Sequence, residues 1–127
     1  MKVERLDHLV LTVRDVEATC AFYERVLGMR ATTFGGGRRA LAFGAQKINM
    51  HQSGNEFEPR AAHPTPGSAD LCLVTESGTQ EILDHLQESG ITPVEGPVGR
   101  SGAVGEMTSV YLRDPDGNLI EVSTYAG

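Results

Sequence analysis

The chain has 127 residues, of which 39% are hydrophobic and 22% are charged, and its formal net charge is −6. This length fits a single domain, 1–127, that can bury one core, and the ordinary composition excludes disordered and fibrous proteins. The acidic balance argues against a nucleic-acid surface, which is normally basic. No apolar run approaches the roughly 18 residues of a membrane span, and the N-terminus lacks the apolar segment of a signal peptide, so we expect a cytoplasmic protein.

Alternation of residue types predicts a first strand over residues 5–13. Leu9, Leu11 and Val13 form an apolar face that needs a helix or a second sheet packed against it. The opposite face begins with His8. If a helix covers the apolar face, His8 lies on the face of the sheet that the helix leaves uncovered.

The residues that follow complete a first module of order βαβββ, residues 4–52. Asp15 is a typical N-cap and Gly28 a typical residue just after a helix, with apolar residues at helical spacing between them. Glycine-rich turns then separate three short strands, predicted at 30–34, 39–43 and 47–52. Residues 53–68 are polar and rich in proline, which indicates a connecting loop.

The same order of elements starts again in a second module, residues 69–125. The predicted elements are a strand at 69–75, a helix opened by Ser77 or Thr79 and ended by Gly90, and strands around 92–95, at 107–113 and at 119–124. The turn 114–118 joins the last two strands. The glycine-rich stretch from Gly99 to Gly105, with Arg100, is expected to form a mobile flap.

The spacing inside the two modules indicates an internal repeat. His8 and Asp70 each stand 20 residues before the glycine that ends their helix (28 − 8 and 90 − 70), so Asp70 is the positional twin of His8. A half-module of this size cannot bury its own sheet face. We therefore predict an α+β fold in which two βαβββ modules form a curved mixed sheet around a central cavity, with the helices on the outer face.

Polar side chains from the last strand of each module are predicted to face this cavity. With the apolar residues turned to the helices, Asn49 and His51 face inwards in the first module and Glu121 in the second. Together with His8 and Asp70 they supply the imidazole and carboxylate groups that a divalent first-row metal requires. The alternative interpretation is that the histidines are hydrogen-bonded core residues and that the carboxylates pair with arginines.

Three motifs carry a resemblance that extends over essentially the whole chain. They are Asp-His-Leu-Val-Leu-Thr-Val at 7–13, Ala-Phe-Tyr-Glu-Arg-Val-Leu-Gly-Met at 21–29 and Asp-Pro-Asp-Gly-Asn-Leu-Ile-Glu-Val at 114–122. With these motifs the chain resembles the vicinal oxygen chelate superfamily, which includes glyoxalase I, bleomycin- and fosfomycin-resistance proteins and extradiol dioxygenases. Residues 47–52 and 56–68 are similar to those of the glyoxalase domain-containing protein 5-like members.

The resemblance implies a paired βαβββ fold, usually dimeric, that binds a divalent metal (Zn, Ni, Mn or Fe). His8 matches the family's first metal ligand and Glu121 its last. Glyoxalase I has a histidine where this chain has Asp70, and a glutamate or glutamine nearest Asn49, so Asp70 and His51 complete the predicted ligand set. The metal would stabilise an enediolate or oxyanion on adjacent substrate oxygens, and Glu121, with Asp70 as a second base, would move a proton.

Three functions follow from the resemblance. The first is a lyase or isomerase similar to glyoxalase (lactoylglutathione lyase) that acts on a small molecule. The second is a single-domain extradiol dioxygenase in which His8, His51 and Glu121 bind Fe(II). The third is a drug-binding resistance protein, which is not an enzyme and needs no metal. We expect a homodimer that binds neither nucleic acid nor a membrane. The candidate substrate contacts are Asn49, Cys72, Tyr111 and His63.

Overall fold

Both predicted modules are present in the structure, a computed structural model that describes residues 1–126. Each has a four-stranded mixed sheet and one helix in the order βαβββ, so the predicted α+β fold class is confirmed. The chain divides into two compact units, Met1–Gly67 and the part from Ser68 onward, and the proline-rich loop lies almost entirely in the first unit. That the chain is one domain stays a prediction. Within residues 1–126, no helix is long and apolar enough to cross a membrane.

Five elements make up the first unit. Their bounds agree with the predicted ones to within one residue, except that the first strand begins at His8 and not at residue 5. The strands are ordered β1-β4-β3-β2, with β1 and β4 parallel and the other neighbours antiparallel. The elements are β1 (His8–Val13), α1 (Val16–Leu27), β2 (Arg30–Phe34), β3 (Arg38–Phe43) and β4 (Gln46–Gln52).

The residues that flank α1 explain why the helix begins and ends where it does. The Asp15 carboxylate accepts a hydrogen bond from the backbone N–H of Ala18 at 3.0 Å, which caps the first turn. Gly28 ends the helix with a φ of 66°, a left-handed conformation that favours glycine. Tyr23 of α1 and Leu41 and Ile48 of the sheet are all fully buried, so the core of this unit lies between α1 and one face of its sheet.

The second unit repeats this plan with the strand order β5-β8-β7-β6, in which β5 and β8 are parallel. Ile82 and Leu86 of its helix are buried, as are Leu112 and Ile120 of the sheet, so one sheet face is again covered by the helix. The elements are β5 (Asp70–Val74), α2 (Thr79–Glu88), β6 (Glu95–Gly102), β7 (Gly105–Arg113) and β8 (Leu119–Thr124).

One element differs clearly from its prediction. The strand expected around 92–95 is β6, which runs eight residues from Glu95 to Gly102 and pairs with β7. The predicted flap at 99–105 therefore forms this strand and the turn into β7. Gly96, Pro97 and Gly99 interrupt any apolar alternation, so the sequence does not reveal the strand. The strand forms because β7 offers a backbone ladder to which β6 bonds.

Candidate functional site

In the first unit, the register of the parallel strands decides which polar groups are neighbours. β1 and β4 pair with Val10 opposite Asn49, so His8 stands diagonally to Asn49 on the same face of the sheet. Diagonal neighbours of this kind are about 7–8 Å apart between Cα atoms, which is within reach of one shared ligand. The opposite face holds the buried core residues Leu11 and Ile48. His8 and Asn49 are thus neighbouring polar side chains on one sheet face of the first unit.

The second unit has the same register with different side chains. β5 and β8 pair with Cys72 opposite Glu121, so Asp70 stands diagonally to Glu121 exactly as far along the strands as His8 does to Asn49. The predicted equivalence of His8 and Asp70 thus agrees with the pairing of the strands. Asp70 and Glu121 form the donor pair of the second unit, and we call them the carboxylate pair.

A buried turn fixes this register at the start of β5. The Asp114 carboxylate accepts hydrogen bonds from the backbone N–H groups of Asp116 and Asn118, both at 2.9 Å, and from Asn118 Nδ2 at 2.8 Å. Asn118 Oδ1 in turn accepts the backbone N–H of Ala69 at 2.9 Å, and the N–H of Leu119 donates to the Ala69 carbonyl at 3.0 Å. The motif read from the sequence as a turn therefore also ties β5 to β8, and it places Asp70 next to Leu119.

Two serine hydroxyls hold the Glu121 carboxylate. Ser109 of β7 donates to Glu121 Oε2 at 2.6 Å, and Ser123 of β8 donates to the same oxygen at 3.3 Å. Because both bonds go to Oε2, they orient the carboxylate without engaging Oε1. Ser123 also lies 3.2 Å from Cys72 Sγ. Desolvation raises the pKa of the Cys72 thiol and so does the Glu121 charge, against the opposing effect of the Ser123 hydrogen bond, so the thiol is less readily ionised than a free cysteine.

The carboxylate pair lines a cavity of about 480 Å³ within the second unit, which we call the carboxylate cavity. Arg100 Nε donates to the Tyr111 hydroxyl at 2.9 Å, and the guanidinium stacks 5.4 Å from the Tyr111 ring centroid. This contact raises the pKa of Arg100, which stays a cation. Three acids and two arginines thus share one small space, and Arg100 Nη2 lies 3.5 Å from Glu95 Oε1, so the composition suits an oxygen-rich molecule. The charged and polar lining residues are Asp70, Glu95, Arg100, Tyr111, Arg113 and Glu121.

His8 is exposed, and one of its ring nitrogens is engaged. Its Nδ1 lies 2.8 Å from Asp7 Oδ1, and the hydrogen bond holds the pKa of the Asp7 carboxyl below its usual range. A carboxylate on one ring nitrogen is the usual arrangement around a metal-binding histidine, because it fixes the tautomer and orients the other nitrogen. The contact with Asp7 leaves Nε2 as the other ring nitrogen, and a metal-binding role for His8 stays a prediction.

His51 occupies a different position from the one that a metal ligand beside His8 requires. It stands opposite Thr12, whereas His8 stands opposite Lys47, so His8 and His51 are four residues apart along the paired strands, about 13 Å. The position equivalent to Glu121 is that of Asn49, not of His51, whose equivalent is Ser123. The structure does not bring His8 and His51 together within the first unit, and a role for His51 in metal binding stays a prediction.

The donor chemistry fits a metal only in part. Across residues 1–126, no group of three or more His, Cys, Asp or Glu side chains is placed to hold an ion. The carboxylate pair supplies two hard oxygen donors, which suits a cation such as Mn(II) whose other positions are taken by water and substrate oxygens. The residues therefore fit a metal that is completed by other ligands, and they do not form a closed structural site.

The remaining predicted substrate residues fall in separate places. Tyr111 faces the carboxylate cavity opposite Glu121. Asn49 is buried, and His63 is exposed in the loop before Pro64. Sequence reasoning missed the contribution of Arg100 and Arg113 to the cavity and the role of Ser109. Alternation along β7, which places Ser109 on the same face as Tyr111, was a signal that could have identified Ser109.

The comparisons with known proteins agree with this fold. Residues 5–122 match the profile of the Glyoxalase/Bleomycin resistance protein/Dioxygenase superfamily. Virulence protein STM3117 of Salmonella typhimurium is 58% identical over 98% of this chain and 87% of its own length, and its crystal structure matches with a TM-score of 0.97 over 98% of this chain and 99% of that one. The glyoxalase domain-containing protein RDO1 of Mycosarcoma maydis is 57% identical over 98% of this chain and 70% of its own length.

More distant structures share the fold alone. A fosfomycin resistance protein, FosX, from Listeria monocytogenes, solved as a complex with Mn(II) and sulfate, is 17% identical and matches with a TM-score of 0.66 over 97% of this chain and 91% of that one.

Proposed function

Because the chain belongs to the Glyoxalase/Bleomycin resistance protein/Dioxygenase superfamily, we propose that it is a metal-dependent lyase or isomerase. It would bind a small substrate through adjacent oxygens and move a proton between neighbouring atoms. The observation that carries the proposal is the carboxylate pair, Asp70 and Glu121, which stands on one sheet face and lines a cavity with two arginines.

Within this proposal, Glu121 is the better-positioned metal ligand. Its Oε2 is held by Ser109 and Ser123, so the side chain loses little additional freedom when Oε1 binds an ion. Asp70 is exposed at the start of β5, where it can bind the same ion or accept a proton from a substrate in the carboxylate cavity. A bound divalent cation would supply Lewis-acid stabilisation of the negative charge that develops on adjacent substrate oxygens.

The two arginines give the substrate its orientation. Arg100 and Arg113 line the same cavity as the carboxylate pair, and Tyr111 positions Arg100 through its hydroxyl. Guanidinium groups bind carboxylate or phosphate-like groups through paired N–H donors. Arg100 already contacts the Gly99 carbonyl and Glu95, so we infer that Arg113 binds one anionic group of the substrate beside its metal-binding oxygens, which is the chemistry of a small oxoacid.

Three finer expectations belong to the same proposal. His8 is a metal ligand, as its contact with Asp7 favours. The protein is a homodimer, which light scattering coupled to size-exclusion chromatography would measure. The chain belongs to the glyoxalase domain-containing protein 5-like subgroup, a proposal supported by the resemblance of its residues 47–52 and 56–68 to those of the subgroup's members.

Metal binding tests the proposal directly. Mn(II) titrated into the chelator-treated protein should bind, and Glu121→Gln should weaken that binding by at least about 100-fold, since even an outer residue of a metal site typically costs 10–100-fold. Glu106→Gln is the matched control, because Glu106 is an exposed glutamate of the same sheet that bonds Ser101 instead. Equal Mn(II) affinity of wild type and Glu121→Gln would contradict the proposal.

Turnover assays then separate the reaction classes. Conversion of a hemithioacetal or a small oxoacid by the Mn(II), Ni(II) or Zn(II) protein supports the lyase or isomerase. Ring cleavage that requires both Fe(II) and oxygen would instead show a dioxygenase. Tight drug binding by protein that takes up no metal would show a resistance protein without catalytic activity.

A further inference from the structure

Three side chains of the first unit, Phe34, Arg38 and Lys47, lie on the sheet face that α1 leaves uncovered. Lys47 pairs with His8 of β1, and Phe34 of β2 pairs with Arg38 of β3. Arg39, the next residue along β3, pairs with a buried core residue of β4 and so stands on the opposite face. The three side chains come from three strands, so the strand pairing brings them to one face.

The Phe34 ring contacts both cations of this group. Lys47 Nζ lies 3.9 Å and Arg38 Cζ lies 5.2 Å from the Phe34 ring centroid. The same guanidinium lies 4.7 Å from the ring centroid of Phe57. Aromatic faces attract cations at these distances. The two rings restrict the Arg38 side chain, so a ligand that binds the guanidinium meets a group whose ordering cost is already partly met.

Neither cation has a carboxylate partner among residues 1–126. Arg38 and Lys47 make no ion pair or side-chain hydrogen bond there, whereas the neighbouring Arg39 binds the Glu17 carboxylate through two nitrogens, at 3.0 and 3.1 Å. Of the three Arg38 nitrogens, only Nε is buried. The two Nη nitrogens are therefore accessible and unpaired, and their N–H groups can donate to a ligand.

The turn beside Arg38 leaves these donors uncovered. Gly35, Gly36 and Gly37 join β2 to β3, and all three are exposed. A Cβ placed on Gly36 or Gly37 would have no atom within 4 Å, so open space surrounds this part of the turn. The turn thus has no side chain that could shield the Nη nitrogens from a ligand.

The chemistry of the two cations favours an oxyanion with two negative charges. A guanidinium donates paired N–H groups to the oxygens of a carboxylate or a phosphate. Two positive charges beside one ring repel each other, and a doubly charged anion relieves this repulsion more fully than a singly charged one. A phosphate group has both the oxygens and the second charge, whereas a carboxylate has one charge only.

We propose that Arg38 and Lys47 bind a phosphate group, either as free phosphate or as part of a small monoester. Arg38 donates to two phosphate oxygens through its Nη nitrogens, and Lys47 supplies the second positive charge. The site is independent of the proposed function, because none of its residues lines the carboxylate cavity. The failure of one proposal therefore leaves the other standing.

Inorganic phosphate titrated into the chelator-treated protein at about pH 8, where most of it carries two negative charges, tests the site. Amide NMR at low salt should show shifts centred on Phe34, Arg38 and Lys47, with a Kd on the order of 1 mM. Raising the ionic strength from about 20 mM to about 200 mM should weaken binding severalfold, because salt screens exposed charges. Tighter binding of phenyl phosphate would identify a monoester as the ligand, and equal or weaker binding would identify free phosphate.

Substitutions locate the contact. Arg38→Gln should weaken phosphate binding at least about tenfold, because it removes charge-assisted hydrogen bonds. Lys47→Gln should weaken it about threefold, because it removes a charge that solvent partly screens. Arg39→Gln is the matched control: it changes the net charge equally but on the opposite sheet face, so the Kd should stay within about twofold of wild type.

The amide spectra also report whether each variant folds. If Arg38→Gln does not fold, Arg38→Lys replaces it, since this variant keeps the charge but loses the paired donors and should bind phosphate more weakly than wild type.

Several outcomes would overturn the proposal. Wild-type affinity in the Arg38 variants would exclude the guanidinium contact, and an equal loss in Arg39→Gln would show an effect of net charge alone. Benzoate that binds as tightly as phenyl phosphate would show that the second charge has no part. Shifts centred on Arg113 would place the anion in the second unit, and no binding at roughly tenfold above 1 mM would show that no site exists.

Discussion

The two units have the same strand pairing but different side chains at equivalent positions. His8 corresponds to Asp70, and Asn49 corresponds to Glu121, because both parallel pairs have the same register. The first unit thus has an imidazole and an amide where the second has two carboxylates. The chemical specialisation of each half lies in these few positions and not in the backbone, which repeats.

The two units also differ two residues further along these strands, at His51 and its equivalent Ser123. His51 is buried, with the 57–64 loop beside it, whereas its equivalent Ser123 takes part in the hydrogen bonds that orient Glu121. One unit therefore has a largely apolar cavity, and the other has a charged cavity beside its acids. Substitutions in one unit, each compared with a control substitution, can test what each unit contributes.

The largest effect within this comparison should come from the residue that ties β5 to β8. Asn118→Ala removes the bonds to Asp114 and Ala69 and should lower the free energy of unfolding by about 2–3 kcal/mol, because buried partners are left unmatched. Gln46→Ala is the matched control: Gln46 precedes β4's Lys47 as Asn118 precedes Leu119, but it is exposed and makes a 3.2 Å bond to the Leu6 carbonyl. It should cost about 0.5 kcal/mol.

Urea denaturation of both variants gives the free energies, and Mn(II) titration gives the consequence for the site. Asn118→Ala should also weaken Mn(II) binding, since Asp70 starts the strand that this turn positions. Equal destabilisation by the two substitutions would show that the buried turn has no special part in the register.

A smaller effect should follow from releasing the Glu121 carboxylate. Ser109→Ala removes the 2.6 Å hydrogen bond to Oε2 and should weaken Mn(II) binding about tenfold, since it leaves the ligand itself in place. Ser101→Ala, which loses an exposed bond to Glu106 in the same sheet, should leave Mn(II) affinity unchanged. If Ser109→Ala binds Mn(II) like wild type, orientation of Glu121 by Ser109 is not part of metal binding.

The smallest effect should be a pH dependence that comes from the first unit. The folded-state pKa of His51 is lowered below 6.5 by burial and by Arg38, so the unfolded chain takes up its proton first as the pH falls. The stability contribution is therefore fully present above about pH 6.5 and is lost as the pH drops through the folded-state pKa. His51→Phe should show a weaker loss of stability between about pH 8 and pH 5 than wild type.

His63→Gln serves as the control for this pH series, because His63 is an exposed histidine of the neighbouring loop. Its stability should fall with pH as that of wild type does. A His51→Phe protein with an unchanged pH dependence would place the titrating group elsewhere.

Much of the scaffold could be predicted from the sequence because local signals specify it. The cap at Asp15 and the left-handed Gly28 bound α1 as predicted, and the bounds of β2 and β8 were correct. His8 and Asp70 stand equally far before Gly28 and Gly90. This spacing identified them as equivalent positions, and the strand pairing shows the same equivalence. Local periodicity carries this information because it requires only neighbouring residues along the chain.

The site itself could be predicted only in outline. Period-two alternation placed Asn49 and His51 on one face without deciding between them, because both satisfy the pattern. The register opposite Val10 and Thr12 makes Asn49 the equivalent of Glu121, and a register is a property of two strands together. The contacts of Arg100 with Tyr111 likewise depend on β6, a strand without an apolar pattern of its own.

By itself, then, the sequence determined the order of elements, the repeat and the faces of the strands, since each follows from spacing along one segment. Only the tertiary structure decided that Asn49 and not His51 is the equivalent of Glu121, that Ser109 orients that carboxylate, and that His51 is enclosed beside a cavity. These facts depend on groups far apart in the chain, which backbone hydrogen bonding between strands brings to adjacent places.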